Sequence, residues 1–180
     1  LTRLVGSEMC IRDRHYVNQV LKLTQGRGAT FHHANILTLA ALALNELGNA
    51  TAARRTVTEL MQLNRAHTLP IGVQTDIQFC LAALDYKAGA TSAALAHIST
   101  VIDQILDNQP VCRPVSVSLF LFLAHQILHA NNDPRTAQFL CYAVNDIETK
   151  AARITNPDHR QSFVDQIPYH RTLIALHSRL

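Results

Sequence analysis

The apolar residues of this chain recur at a spacing that favours helices joined in pairs. From Leu37 to Leu47 they fall at i, i+3, i+4, i+7 and i+10, which is one face of a helix. Gly48 follows as a residue that ends a helix, and Asn49 is placed to cap the next one. The pattern returns between Val73 and Gly89, and the two glycines are 41 positions apart. A fixed period of this size predicts stacked helical hairpins.

The helices that complete each pair are also visible. A second helix with Ala53 and Leu60 inward follows Gly48, and one with Ala94 and Ile102 inward follows Gly89. A third pair starts with an apolar stripe that includes Phe120. Asp133 then serves as a predicted cap and Pro134 as the first residue of a long helix, whose predicted inward residues are Ala137, Leu140, Cys141, Val144 and Ile147.

Strand signals are nearly absent, so the predicted fold class is all-α. We expect a helical-hairpin repeat solenoid of about three and a half antiparallel helix pairs. An ordinary bundle of six or seven helices with accidental regularity is the alternative. Residues 114–132 carry no Asp, Glu, Lys or Arg, but their continuously apolar part is too short for a membrane span, and we predict none.

Composition excludes several classes of protein. Apolar residues make up 48% of the chain and charged residues only 16%, which argues against disorder. A formal net charge of +3 with dispersed acidic residues does not build a phosphate-binding face, so no nucleic-acid partner is expected. The cysteines include no C-x-x-C pair, which fits a reducing compartment and predicts a cytoplasmic location.

The first residues differ in character from the rest. Residues 4–14, LVGSEMCIRDR, resemble the translation of a sequencing adapter joined to an assembled read. We therefore expect residues 1–14 to be a non-native artefact segment and residues 15–180 to form the helical-repeat domain. On this interpretation the domain is the C-terminal fragment of a longer protein.

The repeats resemble tetratricopeptide repeats. That family has small residues where its two helices approach most closely and a Gly or Asn at the turn between them. The corresponding residues here are Ala41, Gly48 and Ala53 in the first unit, Ala82 or Leu81, Gly89 and Ala94 in the second, and Ala124, Asn131 and Ala137 in the third. The period exceeds the family's roughly 34 residues, and no bulky aromatic opens each first helix. The resemblance implies an extended surface that binds protein.

The C-terminal region adds two short helices. Asn156 is a predicted cap with Pro157 at the first helical position, and Pro168 begins a last helix with Leu173, Ile174 and Leu176 inward. We expect residues 157–180 to cap the array. Their sequence resembles the end of the repeat tail in large bacterial signalling regulators with a STAND-type ATPase, kinase or cyclase region. This implies a protein-interaction and regulatory module whose catalytic part lies upstream and whose partner is a protein, a peptide or that upstream region.

Catalytic motifs are missing from the sequence. It contains no P-loop, no H-E-x-x-H and no G-x-S-x-G, so we predict no enzyme activity and no cofactor. His125 and His129 stand at i, i+4, a spacing that can hold a metal ion, but no third ligand is near in sequence and no metal site is predicted. A self-contained helical adaptor or scaffold is the alternative function, and a metal-binding helical enzyme is a further one.

The protein-binding residues are expected on the exposed side of the first helix of each pair. There they would line a polar groove that contains Tyr and His side chains. The candidate residues are Asn35, Thr38, Asn45, Glu46, Gln78, Asp85, Tyr86, His125 and His129.

Overall fold

The structure is a computed structural model that describes residues 19, 30–67, 69–109, 114 and 116–179. In this part the chain is all-α, as predicted, and contains no strand. Its helices are α1 (Thr30–Glu46), α2 (Ala50–Ala66), α3 (Ile71–Lys87), α4 (Thr91–Leu106), α5 (Val117–Ala130), α6 (Thr136–Ala152), α7 (Pro157–Asp165) and α8 (Pro168–His177). The predicted artefact segment 1–14 and Cys112 lie outside the described residues.

The first compact unit contains α1, α2 and α3. A three-residue turn joins α1 to α2, and α3 packs against both of them. Leu37, Leu60 and Ile77, one from each helix, meet in a core that also contains Ala34 and Val73. Each large aliphatic side chain buried in this way contributes about 1.5–3 kcal/mol relative to leaving it exposed. The apolar stripes that defined these helices in the sequence therefore hold them together.

The second compact unit contains α4 to α8. Helix α5 packs against α4 and α6, and α8 packs against both α5 and α6. The fully buried side chains here include Phe120, Phe139, Ile147 and Leu173. Both units thus contain a helical hairpin with a third helix laid against it. The predicted pairing of α3 with α4 joins the two units and stays a prediction.

Four helices end in the same backbone motif. Gly48, Gly89, Asn108 and Asn132 each follow a helix with φ between 51° and 82°. After α1, the N–H of Asn49 donates to the Leu44 carbonyl and that of Gly48 to the Asn45 carbonyl, which is the Schellman pattern. Equivalent bonds follow α3, α4 and α5. The predicted helix ends at Gly48 and Gly89 are confirmed.

Two predicted N-caps are confirmed and one is displaced. The Asn49 side chain accepts from the Ala52 N–H at 3.2 Å, and the Asn156 side chain accepts from the His159 N–H at 3.1 Å. Helix α6, however, begins at Thr136 and not at Pro134. Asp133 accepts from the Arg135 N–H at 2.9 Å, so it closes an Asx turn before the helix and does not cap its first turn.

The inward face of α6 was assigned wrongly in part. Cys141, predicted to be a core residue, is exposed, and so is Ala137. The buried face instead carries Phe139, Leu140, Ala143, Val144, Ile147 and Ala151. Because Leu140, Val144 and Ile147 fit both stripes, periodicity alone left the orientation ambiguous by about one residue. In the structure the Phe139 ring is fully buried, so the buried face of α6 includes the side of the helix that carries it.

The two C-terminal helices bury few side chains. Helix α7 has no buried residue, and α8 buries only His170 and Leu173. The inward position of Leu173 is confirmed, whereas Ile174 and Leu176 are half-buried. No helix in the described ranges is long and apolar enough to cross a lipid bilayer.

Candidate functional site

The predicted groove residues do not form one exposed surface. Thr38, Asn45 and His125 are buried, with 1%, 4% and 5% of their surface accessible, so the prediction that they are exposed is wrong. Glu46 and His129 are exposed. The half-buried members of the set are Asn35, Gln78, Asp85 and Tyr86. Their proposed role in protein binding stays a prediction.

Thr38 and Asn45 are buried because their side of α1 faces α3. The Asn45 amide donates to the Ala83 carbonyl at 3.1 Å, which ties the two helices together. The Thr38 hydroxyl donates back to the Ala34 carbonyl at 3.0 Å, and the Cys80 thiol lies 3.8 Å from the Thr38 carbonyl oxygen. The contacts of Asn45 and Cys80 connect α1 to α3, whereas that of Thr38 stays within α1.

The end of α1 is closed by a charge from α3. The Lys87 ammonium donates to the carbonyls of Asn45 at 2.5 Å and Glu46 at 3.0 Å. A cation at the C-terminal end of a helix satisfies carbonyls that lack intrahelical partners and complements the helix dipole. Nearby, Asp85 pairs with Arg54 of α2 at 3.2 Å. Asp85 is therefore engaged in packing α3 against the first hairpin.

The outward side of α1 carries two large apolar side chains. Phe31 and Leu39 are 43% and 48% exposed, and Asn35 lies between them at i+4. These three residues, here called the α1 stripe, lie within one side of the helix because residues four apart are neighbours. The Asn35 Oδ1 atom is buried and has no hydrogen-bond partner. The stripe therefore combines exposed apolar surface with an unused acceptor.

A second line of side chains follows one side of α5. Ser118, Phe122, His125 and His129 are spaced 4, 3 and 4 residues apart, so they share a face. The rings of His125 and His129 have centroids 6.3 Å apart and planes tilted by 34°. The Nδ1 atom of His125 is buried without a hydrogen-bond partner. Burial, and secondly the charge of His129, lower the pKa of His125.

Ser118, at the N-terminal end of this line, helps to hold α8 in place. His170 is 1% exposed, and its Nε2 lies 2.7 Å from the Ser118 hydroxyl. Its Nδ1 lies 2.8 Å from the Phe163 carbonyl oxygen, which requires Nδ1 to carry the proton, so Ser118 donates to Nε2 in the neutral ring. The Phe163 ring meets the imidazole edge-on at 4.6 Å. Sequence analysis missed His170, although it stands three residues before the inward Leu173.

Arg135 organises the start of α6. Its guanidinium donates to Asp133 at 2.6 Å, to Asp103 of α4 at 2.5 Å and to Ser99 at 3.0 Å. The hydrogen bond from Arg135 holds the pKa of Asp133 below its usual value.

The Cys80 thiol is not expected to be reactive, because burial raises its pKa and Asp76 adds to that effect.

Comparison with known proteins adds no relative. No protein-family model, curated protein or solved structure matches the chain. Within the residues that the structure describes, no group of three or more His, Cys, Asp or Glu side chains is placed to hold a metal ion. The two features that invite a ligand are therefore the α1 stripe and the His125–His129 pair.

Proposed function

We propose that this chain is a protein-binding module of helical hairpins, without catalysis of its own, and that the α1 stripe docks an amphipathic helix of its partner. The observation that carries the proposal is the exposure of Phe31 and Leu39 on a helix whose opposite side is packed against α2 and α3. Helix-in-groove recognition uses apolar contacts that repeat along one side of a helix, and Phe31 and Leu39 stand eight residues, about two helical turns, apart on the same side of α1.

Asn35 adds a polar group to the two exposed apolar residues of the stripe. Single exposed hydrophobic side chains are common on protein surfaces and need no ligand. A buried acceptor without a donor, however, costs about 1–3 kcal/mol. The Oδ1 atom is closed to solvent, so a partner reaches it only if the half-buried Asn35 side chain turns outward on binding. A partner helix with a hydrogen-bond donor between its apolar anchors then relieves this cost as it covers Phe31 and Leu39. The expected ligand is an amphipathic helix with an Asn, Gln, Ser or Lys side chain in its apolar face.

The wider proposal is a tetratricopeptide-like array. It is supported by the 41-residue spacing of Gly48 and Gly89 and by the packing of α3 and α8, each against both helices of a hairpin in its own unit. The resemblance of the C-terminal residues to the tail of bacterial STAND-type signalling regulators gives the proposal a context. In that context the docked helix belongs to a regulatory or catalytic region of the same polypeptide.

Selection from a phage-displayed library of helical peptides against the immobilised chain tests this function. We expect enriched peptides with apolar residues at i and i+4 or i and i+3. Leu39→Glu should weaken their binding by about tenfold or more, because a charge then enters the apolar contact at a cost above about 1.4 kcal/mol. Ala137→Glu is the matched control, since it places the same charge at an exposed helical position of α6.

Two results would count against the docking proposal. One is a selection that enriches no helical peptide. The other is equal binding of the enriched peptides to the wild type and to Leu39→Glu. Sedimentation velocity shows whether the stripe instead binds a second copy of the chain. A concentration-dependent dimer that Leu39→Glu abolishes would give this result.

A further inference from the structure

His125 stands where α1 and α3 carry a small residue. Ala41 and Ala82 stand seven residues before the left-handed residues Gly48 and Gly89. In α5 the left-handed residue is Asn132 and not the predicted Asn131, so His125, and not the predicted Ala124, stands seven residues before it. Ala41 is 1% exposed and Ala82 is fully buried. An imidazole at this position is therefore both larger and more polar than the packing of a hairpin requires.

The substitution also has a local cost. The Nδ1 atom of His125 is buried without a partner, and an unsatisfied buried polar group costs about 1–3 kcal/mol. Local conflicts of this kind are expected at functional positions, where stability is given up for another property. His170 shows the contrast, because both of its ring nitrogens lie within hydrogen-bond distance of a partner.

The neighbour of His125 explains what an imidazole offers here. His129 lies one turn further along the same face and is exposed, so its side chain is able to rotate toward His125. Two histidines at i, i+4 present nitrogens to a single ion, with nitrogen–metal distances of about 2.0–2.1 Å for zinc. The two ring centroids lie 6.3 Å apart, so the rings are already neighbours on this face.

We propose that His125 and His129 form a two-histidine site for a divalent transition-metal ion of the Cu²⁺, Ni²⁺ and Zn²⁺ class. Imidazole suits these ions, whereas Mg²⁺ and Ca²⁺ prefer oxygen ligands. Water, or a donor from a bound partner, completes the coordination. The proposal is independent of the α1 stripe, which lies in the other compact unit.

Metal ions bind the neutral form of imidazole, so Cu²⁺ binding is measured at or above neutral pH. The alanines of α1 and α3 also make the site testable, because His125→Ala gives α5 the residue that those helices carry at the equivalent position.

Cu²⁺ titration of the full chain, followed by electron paramagnetic resonance, tests the proposal. We expect one ion with two imidazole nitrogens in its coordination sphere. His129→Ala should lower the affinity by about tenfold or more, since the second imidazole then no longer binds intramolecularly. His125→Ala should have the same effect, with the helical content unchanged by circular dichroism.

A spacing variant separates the site from general histidine content. The double change His129→Ala with Ala130→His keeps ten histidines but moves the second ring by one residue, about 100° around the helix. It should bind Cu²⁺ as weakly as His129→Ala. His159→Ala, which removes an exposed histidine from α7, should bind like the wild type.

The proposal fails if the spacing variant binds Cu²⁺ as tightly as the wild type. It fails equally if the wild type shows one imidazole nitrogen, or none, in the spectrum of its tightest site. Loss of affinity in His159→Ala but not in His129→Ala would place the ion elsewhere and also overturn it.

Discussion

The two compact units lay a third helix against a hairpin by different means. In the first unit α3 is 17 residues long and buries eight side chains, among them Val73 and Ile77 in the shared core. In the second unit α8 is 10 residues long and buries only His170 and Leu173. Where apolar contact is small, the hydrogen bonds of His170 to Ser118 and to the Phe163 carbonyl fix the helix. Polar contacts hold the third helix in both units, but only in the first unit do they add to a large buried apolar face.

The largest loss of stability is expected in the first compact unit. Leu37→Ala should lower the free energy of unfolding by about 2–5 kcal/mol, because Leu37 is fully buried where α1, α2 and α3 meet. Chemical denaturation measures the loss, and hydrogen exchange should show faster opening of α1 to α3. A loss below about 1 kcal/mol would contradict the view that this core holds the unit.

Loss of the His170 hydrogen bonds should give the second-largest loss of stability. His170→Leu keeps most of the volume but leaves the Phe163 carbonyl and the Ser118 hydroxyl without their partner. We expect a loss of about 1–3 kcal/mol. Hydrogen exchange in α8 is the measurement, with His177→Leu in the same helix as the control. Unchanged protection of α8 would mean that Leu173 packing alone holds this helix.

The helix ends offer a smaller and more exact comparison. The Cβ of Gly48→Ala meets no atom within 4 Å, so its cost is the left-handed backbone alone, about 1–2 kcal/mol. Gly48→Asn should cost less, because Asn108 and Asn132 already occupy this conformation. Thermal unfolding of both variants ranks them. Equal losses would show that the asparagines at 108 and 132 are not favoured by their backbone conformation.

The smallest expected effect is confined to acid pH. The folded state lowers the pKa of His125 below the ordinary 6.5, so the unfolded chain binds the proton more readily. Stability of the wild type should therefore fall, relative to His125→Leu, as the pH drops below about 6.5. Denaturant titrations at pH 7.5 and pH 5 measure this difference. A constant difference between the two proteins would contradict the lowered pKa.

Local chemistry explains what the sequence predicted well. Gly48, Asn49 and Asn156 act on their own helix ends, so short-range rules were sufficient to place them. The all-α class and most inward stripes follow from periodicity for the same reason.

Partner-dependent features were beyond such rules. Thr38 and Asn45 are buried because of where α3 lies, and His170 is buried because Ser118 and the Phe163 carbonyl lie within reach of its ring. A polar residue on a helix carries no sign in the sequence that a neighbour will bind it. The sequence pointed to His125 through its i, i+4 spacing with His129, but its burial and its unpartnered Nδ1 atom became visible only in the structure.

The docking of a helix on the α1 stripe is the central claim, and hydroxyl-radical footprinting tests it at the side chains themselves. The chain is oxidised with and without a helical peptide enriched by the phage selection. The account predicts that the peptide protects Phe31 and Leu39 from oxidation and leaves the exposed Cys141 of α6 unchanged. Unchanged oxidation of Phe31 and Leu39 at saturating peptide, or protection of Cys141 instead, would contradict it.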